Sequence, residues 1–398
     1  PHLVGGNCVD IGLFDWRGDD FLNAGFRGWT GSQRSHFYVG AHDATPGYLP
    51  GPMTPGTWHV CLGFYKVSPN GCHYTVTVRL TYGAARADDF PPMLTLDSPN
   101  VTLVPREDGW YRGELHCHTV HSDGDSTAAE VIARAEALGL DFLAITDHNN
   151  ITHLVEIAAL GAQKIILIPG YEVTTYKGHW NIWAPKGWVD FRVQSPKDME
   201  SAIRYAVERG MLTSCNHPRP FGPPWEYPDV TGSHCVEVWN GPWYRHNWTS
   251  LAFWEDRLRH GIRAVAVGGS DMHRLKTEHH ARLATPTTWI YCEGPPTAAI
   301  HRLLLDEIPA DEKSGFTELL SFRGEGKPSL QMVIAVPPVG LPHTYAEFDL
   351  DLANPLQDVL GFIVHVGELL DGKPTNHLDL RKALAKGKAG DFLYYSVA

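Results

Sequence analysis

The spacing of apolar and polar residues divides the chain into three stretches. In the first stretch, the run HYTVTVRLTY (73–82) alternates strictly, which predicts a half-buried strand. Its apolar face consists of Tyr74, Val76, Val78, Leu80 and Tyr82. The run GTWHVCLGFYKV precedes it, and the turn sequence Ser-Pro-Asn-Gly joins the two runs. Because no helical period appears here, we expect an N-terminal β-sandwich domain over residues 1–105.

The second stretch, residues 110–310, alternates between apolar runs typical of buried strands and amphipathic runs typical of helices. The first helix has the clearest signals, because Thr127 and Glu130 fit a capping box and Gly139 is placed to end the helix. Apolar residues recur at helical spacing at Ala128, Val131, Ile132, Ala135 and Leu138. This alternation predicts an α/β fold with a largely parallel sheet, either open or closed into a barrel.

The third stretch, residues 312–398, loses the strand–helix alternation. The runs SLQMVIAV and VLGFIVHVGELL are typical of strands. We therefore expect a small β-rich C-terminal segment, which could join the N-terminal sandwich.

Composition narrows the classes of function. The net charge of −12 argues against nucleic acid bound on a broad basic face, although a small phosphorylated substrate stays open because bound cations would supply positive charge. No run of about 18 apolar residues suggests a membrane span. The seven cysteines show no CxxC spacing, so we expect reduced thiols and no disulfide between Cys61 and Cys72. The oligomeric state, including a homo-oligomer, and the compartment stay open.

Nine candidate metal ligands lie at or near predicted strand ends in the central stretch. Imidazole and carboxylate groups hold divalent metals in hydrolases. His116 and His118 are two apart on a strand and so point the same way, and the carboxyl ends of parallel strands are where barrel sites form. Any one of the nine could be a capping or solvated residue, but together they predict a cluster of two or three divalent ions. The nine are His116, His118, Asp123, His148, Glu172, His179, His217, Asp271 and His273.

The motifs that contain these residues resemble those of the PHP domain, a family of metal-dependent phosphoesterases. The matching motifs are HCH with the following HSDG, TDHN, PGYE, NHP and SDMH, spread over about half the chain. The flanking runs GLFDWRG (12–18) and GPMTPGTWHVCLGFY (51–65) resemble the branch of carbaryl-hydrolysing metallohydrolases. The resemblance implies a distorted (β/α)7 barrel with up to three metals.

The same resemblance implies a ligand set for each metal. The first metal would be held by His116, His118, Glu172 and Asp271. Glu172 would bridge to a second metal, held also by His179 and His217. The third metal would be held by Asp123, His148 and His273. Zinc, manganese and iron all accept such ligands, so the identity of the metal stays open.

The predicted reaction is hydrolysis of a small-molecule substrate by a hydroxide that bridges two metals, since metals lower the pKa of bound water from about 16 toward about 7. Glu172, His179 and Asp271 are the candidate catalytic residues. Arg219 is placed to bind a phosphate oxygen. Trp180 and Trp239 are candidates for binding an apolar group of the substrate.

Several functions remain open at this point. We expect cleavage of phosphoester bonds, with carbamate or carboxylic ester hydrolysis as the alternative. A non-catalytic binding module with a degenerate PHP domain is a second class, but each motif has kept its polar residue, which argues against it. A nuclease or polymerase-associated role is disfavoured by the acidic charge and the lack of a basic stripe.

Overall fold

A computed structural model of the protein describes residues 7–22, 25–80, 110–160, 164–220, 223–262, 264–277, 281–291, 329–336 and 344–351. The strands are β1 (Cys8–Phe14), β2 (Phe26–Gly31), β3 (His59–Lys66), β4 (Trp110–Glu114), β5 (Phe142–Ile145), β6 (Ile166–Thr175), β7 (Gly178–Trp183), β8 (Leu212–Cys215), β9 (Cys235–Asn240), β10 (Val265–Gly269), β11 (Thr287–Tyr291), β12 (Ser329–Val336) and β13 (Thr344–Asp351). The helices are α1 (Ala128–Ala137), α2 (His153–Ala159), α3 (Pro196–Val207) and α4 (Asn247–Arg259).

Strands β4 to β10 lie side by side in sequence order and form a nearly closed, barrel-like sheet. Neighbouring strands are parallel except at β7, which is antiparallel to both β6 and β8. The ring closes where the chain beyond β10 meets the chain beyond β4, through a parallel bridge between Cys117 and Met272. There the backbone N–H of His118 donates to the carbonyl of Met272 at 2.9 Å. The predicted α/β class is confirmed, and the carboxyl ends of most ring strands face one site.

The helices follow the signals in the sequence. The capping box of Thr127 and Glu130 begins α1, and Ala128, Val131, Ile132 and Ala135 are its buried residues. Among the described residues no helix lies between β6 and β7 or between β8 and β9, so the exact (β/α)7 arrangement is not confirmed. None of the helices in the described part of the chain is both long and apolar enough to cross a membrane.

Three further strands extend the sheet beyond β4. Strand β11 is antiparallel to β4, and β12 and β13 follow it as an antiparallel pair. The run SLQMVIAV is therefore a strand, as predicted. The expectation that it joins the N-terminal sheet is wrong, because β12 pairs with β11. The run VLGFIVHVGELL lies outside the described residues.

The N-terminal region contains a separate three-stranded antiparallel sheet in the order β2–β1–β3. The strand predicted at 73–82 is wrong for residues 73–80, which have no regular structure, and Tyr82 lies outside the described residues. Its apolar side chains Tyr74, Val76, Val78 and Leu80 are 44–68% exposed. Alternation alone could not produce a strand there, because no described strand pairs with the segment. A β-sandwich is therefore not confirmed.

The cysteines of the described residues are free thiols. Cys61 and Cys72 do not form a disulfide, as expected, and Cys8, Cys117 and Cys215 are buried. Cys292 lies outside the described residues. Because the buried thiols sit in apolar surroundings, burial raises the pKa of Cys117 well above its usual value.

The small sheet packs against the barrel through one shared apolar core. Phe26 stacks on Trp188 at a ring-centroid distance of 4.2 Å, and Phe14 meets the same ring edge-on at 5.8 Å. The hydroxyl of Tyr176, at the end of the β6–β7 hairpin, donates to Asp10 Oδ2 at 2.7 Å. The N-terminal sheet is thus held on the strands that supply the centre of the candidate site.

We expect Phe14→Ala to lower the free energy of unfolding by about 3–5 kcal/mol, because it leaves a cavity in the core between the small sheet and the barrel. Phe21→Ala, which removes a ring that is 38% exposed, is the control and should cost less than about 1 kcal/mol. Chemical denaturation measures both values. Equal losses for the two variants would contradict the packing described here.

Candidate metal centre

All nine predicted ligands converge at one mouth of the barrel. His116 and His118 follow β4, His148 follows β5, His217 follows β8, and Asp271 and His273 follow β10. Glu172 and His179 lie within β6 and β7, and Asp123 lies in the loop after β4. Seven of the nine fall into three groups, and within each group the potential ligand atoms lie within 4.8 Å of one another. The groups are His118, Asp123, His148 and His273; His116, His118 and Glu172; and His148, Glu172 and His179.

Glu172 lies at the centre of the cluster and is fully buried. Its Oε1 is 3.3 Å from His116 Nε2, 3.3 Å from His179 Nδ1 and 3.5 Å from His217 Nε2. Its Oε2 is 2.7 Å from His148 Nδ1. Burial alone would raise the pKa of Glu172, but the surrounding imidazoles hold it well below its usual value. The carboxylate is therefore ionised and faces imidazoles on both sides.

A second concentration of ligands surrounds Asp123. Its Oδ1 is 3.2 Å from His273 Nε2 and 3.4 Å from His148 Nε2. The ring of His118 stacks against those of His273 and His148, at centroid distances of 4.0 and 4.2 Å. Burial and the two neighbouring imidazoles lower the pKa of His118 to about 3, so this ring is neutral and its lone pair is available at pH 7.

Asp271 joins the two concentrations of ligands. Its Oδ1 is 3.1 Å from His118 Nε2 and 3.5 Å from His116 Nε2. Asp271 and His217 both have a positive φ, of 53° and 28°. Non-glycine residues in this region are uncommon and cluster at functional sites, where the surrounding structure holds them in place. Here the Asp271 backbone N–H donates to the carbonyl of His116 at 2.8 Å.

The buried atoms of the cluster fit a cation. His116 Nε2 and Asp123 Oδ1 are buried and have no hydrogen-bond partner within the described residues. Each such group costs about 1–3 kcal/mol when it is left unsatisfied. A divalent cation would satisfy the lone pairs of these two atoms, since imidazole nitrogen and carboxylate oxygen are its usual protein ligands.

The groups differ in detail from those that the family resemblance implied. His148 lies in one group with Asp123 and His273, as the resemblance implied. It also lies in the group of Glu172 and His179, where the resemblance implied His217. His118 lies with Asp123 as well as with Glu172. The nine residues thus lie close together, and their role as metal ligands, like the sharing of ligands between metals, stays a prediction.

Two buried glutamates that we did not select from the sequence support the cluster. Glu114 Oε1 accepts from the backbone N–H groups of His116 and Ser270, each at 2.9 Å, and its Oε2 accepts from that of Ala284 at 2.8 Å. Burial raises the pKa of Glu114 to about 7. Glu237 Oε1 lies 2.8 Å from His116 Nδ1. The available signal was a charged residue inside an apolar strand, in GELHCH and in CVEVWN.

The loop that contains Asp123 is held by a third buried carboxylate. Asp147 accepts from the backbone N–H and hydroxyl of Thr119, at 2.8 and 2.6 Å, and from the hydroxyl of Ser122 at 2.5 Å. Arg34 of the N-terminal region donates to the carbonyl of Val120 at 3.1 Å. The barrel, through Asp147, and the N-terminal region, through Arg34, therefore both hold this loop in place.

The predicted substrate-binding residues have different surroundings. Arg219 donates to Asn240 Oδ1 at 2.7 Å and to the Asn240 carbonyl at 3.2 Å. Burial lowers the pKa of Arg219, and the charge of the Asp271 carboxylate opposes that effect. Trp180 is fully buried in the core, and Trp239 is 2% exposed. Substrate binding by these two tryptophans is therefore not supported, because neither presents surface to a bound molecule.

Comparison with known proteins shows which proteins the central region is similar to. Residues 114–216 match the model of the PHP domain. A 5'-3' exoribonuclease of Haemophilus influenzae is 41% identical over 64 residues, which are 16% of this chain and 23% of that protein. The chain thus matches about a quarter of the length of this curated relative.

The similar solved structures have low sequence identity and low TM-scores. A two-domain protein of Bacteroides vulgatus that contains a predicted PHP-like metal-dependent phosphoesterase is 20% identical, with 65% of this chain and 91% of that chain covered and a TM-score of 0.34. An amidohydrolase of Chromobacterium violaceum is also 20% identical, with 41% and 88% covered and a TM-score of 0.32. The PHP match and the ligand groups support the PHP superfamily and divalent-metal binding, and the carbaryl-hydrolase-like branch is not confirmed.

We expect metal binding at pH 7 to release at least one proton. Burial alone would lower the pKa of His273, but the carboxylates of Asp123 and Asp271 raise it to about 9, so the ring is protonated at pH 7 and must lose its proton to bind a metal. Below pH 9 the affinity should therefore fall by about tenfold per pH unit for each proton displaced.

Calorimetric titration of the metal-free protein with Mn²⁺ in PIPES and in Tris measures this release, because the two buffers take up protons with different enthalpies. His273→Ala should release fewer protons, and His260→Ala, at an exposed position, should match the unaltered protein. The same binding enthalpy in both buffers would contradict the expectation.

Proposed function

We propose that the protein is a metal-dependent hydrolase that cleaves phosphoester bonds of a small organic substrate. The observation that supports it most is the convergence of nine imidazole and carboxylate side chains at one mouth of the barrel, with buried Glu172 at their centre. The PHP match over residues 114–216 supports the same class of enzyme. We propose residues 110–310 as the catalytic domain, with residues 1–105 and 312–398 flanking it.

The proposed site holds two or three ions of zinc, manganese or iron. When bound, these would lower the pKa of a coordinated water from about 16 toward about 7, and a hydroxide bridging two of them is the proposed nucleophile. Glu172 presents one oxygen toward His116 and His179 and the other toward His148, which suits a bridging ligand. His179 and Asp271 complete the proposed catalytic set, because both contact the same central cluster.

Arg219 favours a phosphoester over a neutral carbamate or carboxylic ester. Its guanidinium has five N–H donors, and Asn240 accepts from two of its nitrogens, so donors remain for an anionic oxygen. The side chain is close enough to Asp271 for the two charges to interact. A fixed cation beside the metals would add affinity for a substrate anion, whereas a neutral ester gains less from it.

A non-catalytic module is the less supported alternative. A domain that had lost catalysis would be expected to lose ligands, yet all nine are present and lie close together. Their buried atoms without partners would be a cost with no benefit in a purely structural domain. The net charge of −12 favours a small substrate over a long nucleic acid.

We expect His118→Ala to lower kcat/KM by more than about 100-fold, which exceeds the usual 10- to 100-fold cost of altering a residue that only supports a ligand. Activity is measured on a panel of p-nitrophenyl phosphate, bis(p-nitrophenyl) phosphate and 1-naphthyl methylcarbamate with Mn²⁺ or Zn²⁺. His260→Ala, at an exposed histidine, is the matched control and should retain full activity. Turnover of the carbamate alone would contradict the phosphoesterase proposal, and an unaffected His118→Ala enzyme would contradict the site.

Arg219→Met should raise KM for the phosphoester that is turned over by about 10-fold or more, since a hydrogen bond to a charged group contributes about 1.5–3 kcal/mol. The effect on kcat should be smaller, because the metal ligands are unchanged. Arg204→Met removes an arginine that is 63% exposed on α3 and should leave KM unaltered. An unchanged KM in the Arg219 variant would remove this residue from the substrate site.

A further inference from the structure

We infer that Glu237 and Asn240 form a positioning relay that connects the metal ligand His116 to the anion-binding Arg219. The inference rests on the proposed function and adds two residues of β9 to it. Glu237 is 2% exposed and Asn240 is fully buried. Neither was selected from the sequence.

The relay is continuous in hydrogen bonds. Glu237 Oε1 lies 2.8 Å from His116 Nδ1, and its Oε2 accepts from Asn240 Nδ2 at 3.0 Å. Asn240 Oδ1 accepts from Arg219 at 2.7 Å. Glu237 Oε2 also accepts from the backbone N–H of His217 at 3.1 Å. One carboxylate therefore touches one predicted ligand through its ring, a second through its backbone, and the arginine through a single amide.

Arg219 and Glu237 determine the donor and acceptor roles along the relay. Arginine only donates, so the oxygen of Asn240 must face Arg219 and its NH₂ group must face Glu237. The carboxylate of Glu237 can only accept, so when His116 binds a metal as a neutral ring its proton lies on Nδ1. Its Nε2 lone pair is left facing Glu172 and Asp271, where the ring nitrogen has no hydrogen-bond partner among the described residues. This is the tautomer that a metal requires at Nε2.

The backbone of Asn240 is fixed as well. Asn247, at the start of α4, accepts from the Asn240 backbone N–H at 2.7 Å and donates to its carbonyl at 3.1 Å. The amide thus has a rigid base, and a change at Glu237 must be taken up by the side chains of the relay. We therefore expect metal affinity and anion affinity to depend on each other through these two residues.

Glu237→Gln tests the relay in the full-length protein, because it removes the charge and one acceptor with little change of shape. Affinity for Mn²⁺ is measured by equilibrium dialysis, and affinity for inorganic phosphate by calorimetry at saturating Mn²⁺. We expect Mn²⁺ affinity to fall about 10-fold or more, as for other residues that orient a metal-bound imidazole. Phosphate affinity should fall about 5-fold or more, within the usual range of coupling between sites. Glu208→Gln, at a glutamate that is 63% exposed, is the matched control.

Two further variants separate the relay from a local effect. Among the described residues Asn240 has hydrogen bonds to Arg219, Glu237 and Asn247 and to none of the nine predicted ligands. Asn240→Leu should nevertheless weaken Mn²⁺ binding as well as phosphate binding, and it serves as the test if Glu237→Gln does not fold. In the Arg219→Met background, Glu237→Gln should cause no further loss of phosphate affinity. An unchanged phosphate affinity in Glu237→Gln at saturating Mn²⁺, or losses that add in the double variant, would overturn the relay. Failure of the unaltered protein to bind Mn²⁺ or phosphate would instead overturn the proposed function, and the relay with it.

Discussion

The structure depends on one electrostatic constraint: a fully buried glutamate surrounded by imidazoles whose nitrogen lone pairs have few partners. Glu172 is in contact with His116, His179 and His148, and each of these rings is itself largely buried. Such an arrangement is unfavourable in a protein interior unless the charges and lone pairs are compensated. A cation shared by the carboxylate and the imidazoles supplies that compensation, which is why the cluster is best understood as a metal centre.

The rest of the fold keeps these groups in place. Glu114 ties the backbone of β4 to the chain beyond β10, and Asp147 ties the loop after β4 to the end of β5. The N-terminal sheet packs on the β6–β7 hairpin and reaches the same loop through Arg34. Because ligands from distant parts of the chain must meet within a few ångströms, rigid supports of this kind are needed on every side of the cluster.

The central region was predictable from the sequence because its signals are local. The capping box and apolar spacing of α1 lie within about ten residues, and the ligands follow from strands whose carboxyl ends meet at one face. Trp180 could have been excluded by the same reasoning, since it is adjacent to His179 on β7 and so points to the opposite face. Long-range features could not be predicted: Glu237 meets His116 across 121 residues, and residues 73–80 alternate like a strand although no described strand pairs with them.

The most direct measurement is anomalous X-ray diffraction from crystals grown with Mn²⁺, recorded on both sides of the manganese absorption edge. The account predicts two or three anomalous peaks inside the cluster, at least one of them at coordination distance, about 2.0–2.2 Å, from an oxygen of Glu172. Peaks elsewhere on the surface, with none between Glu172 and its imidazoles, would contradict the account.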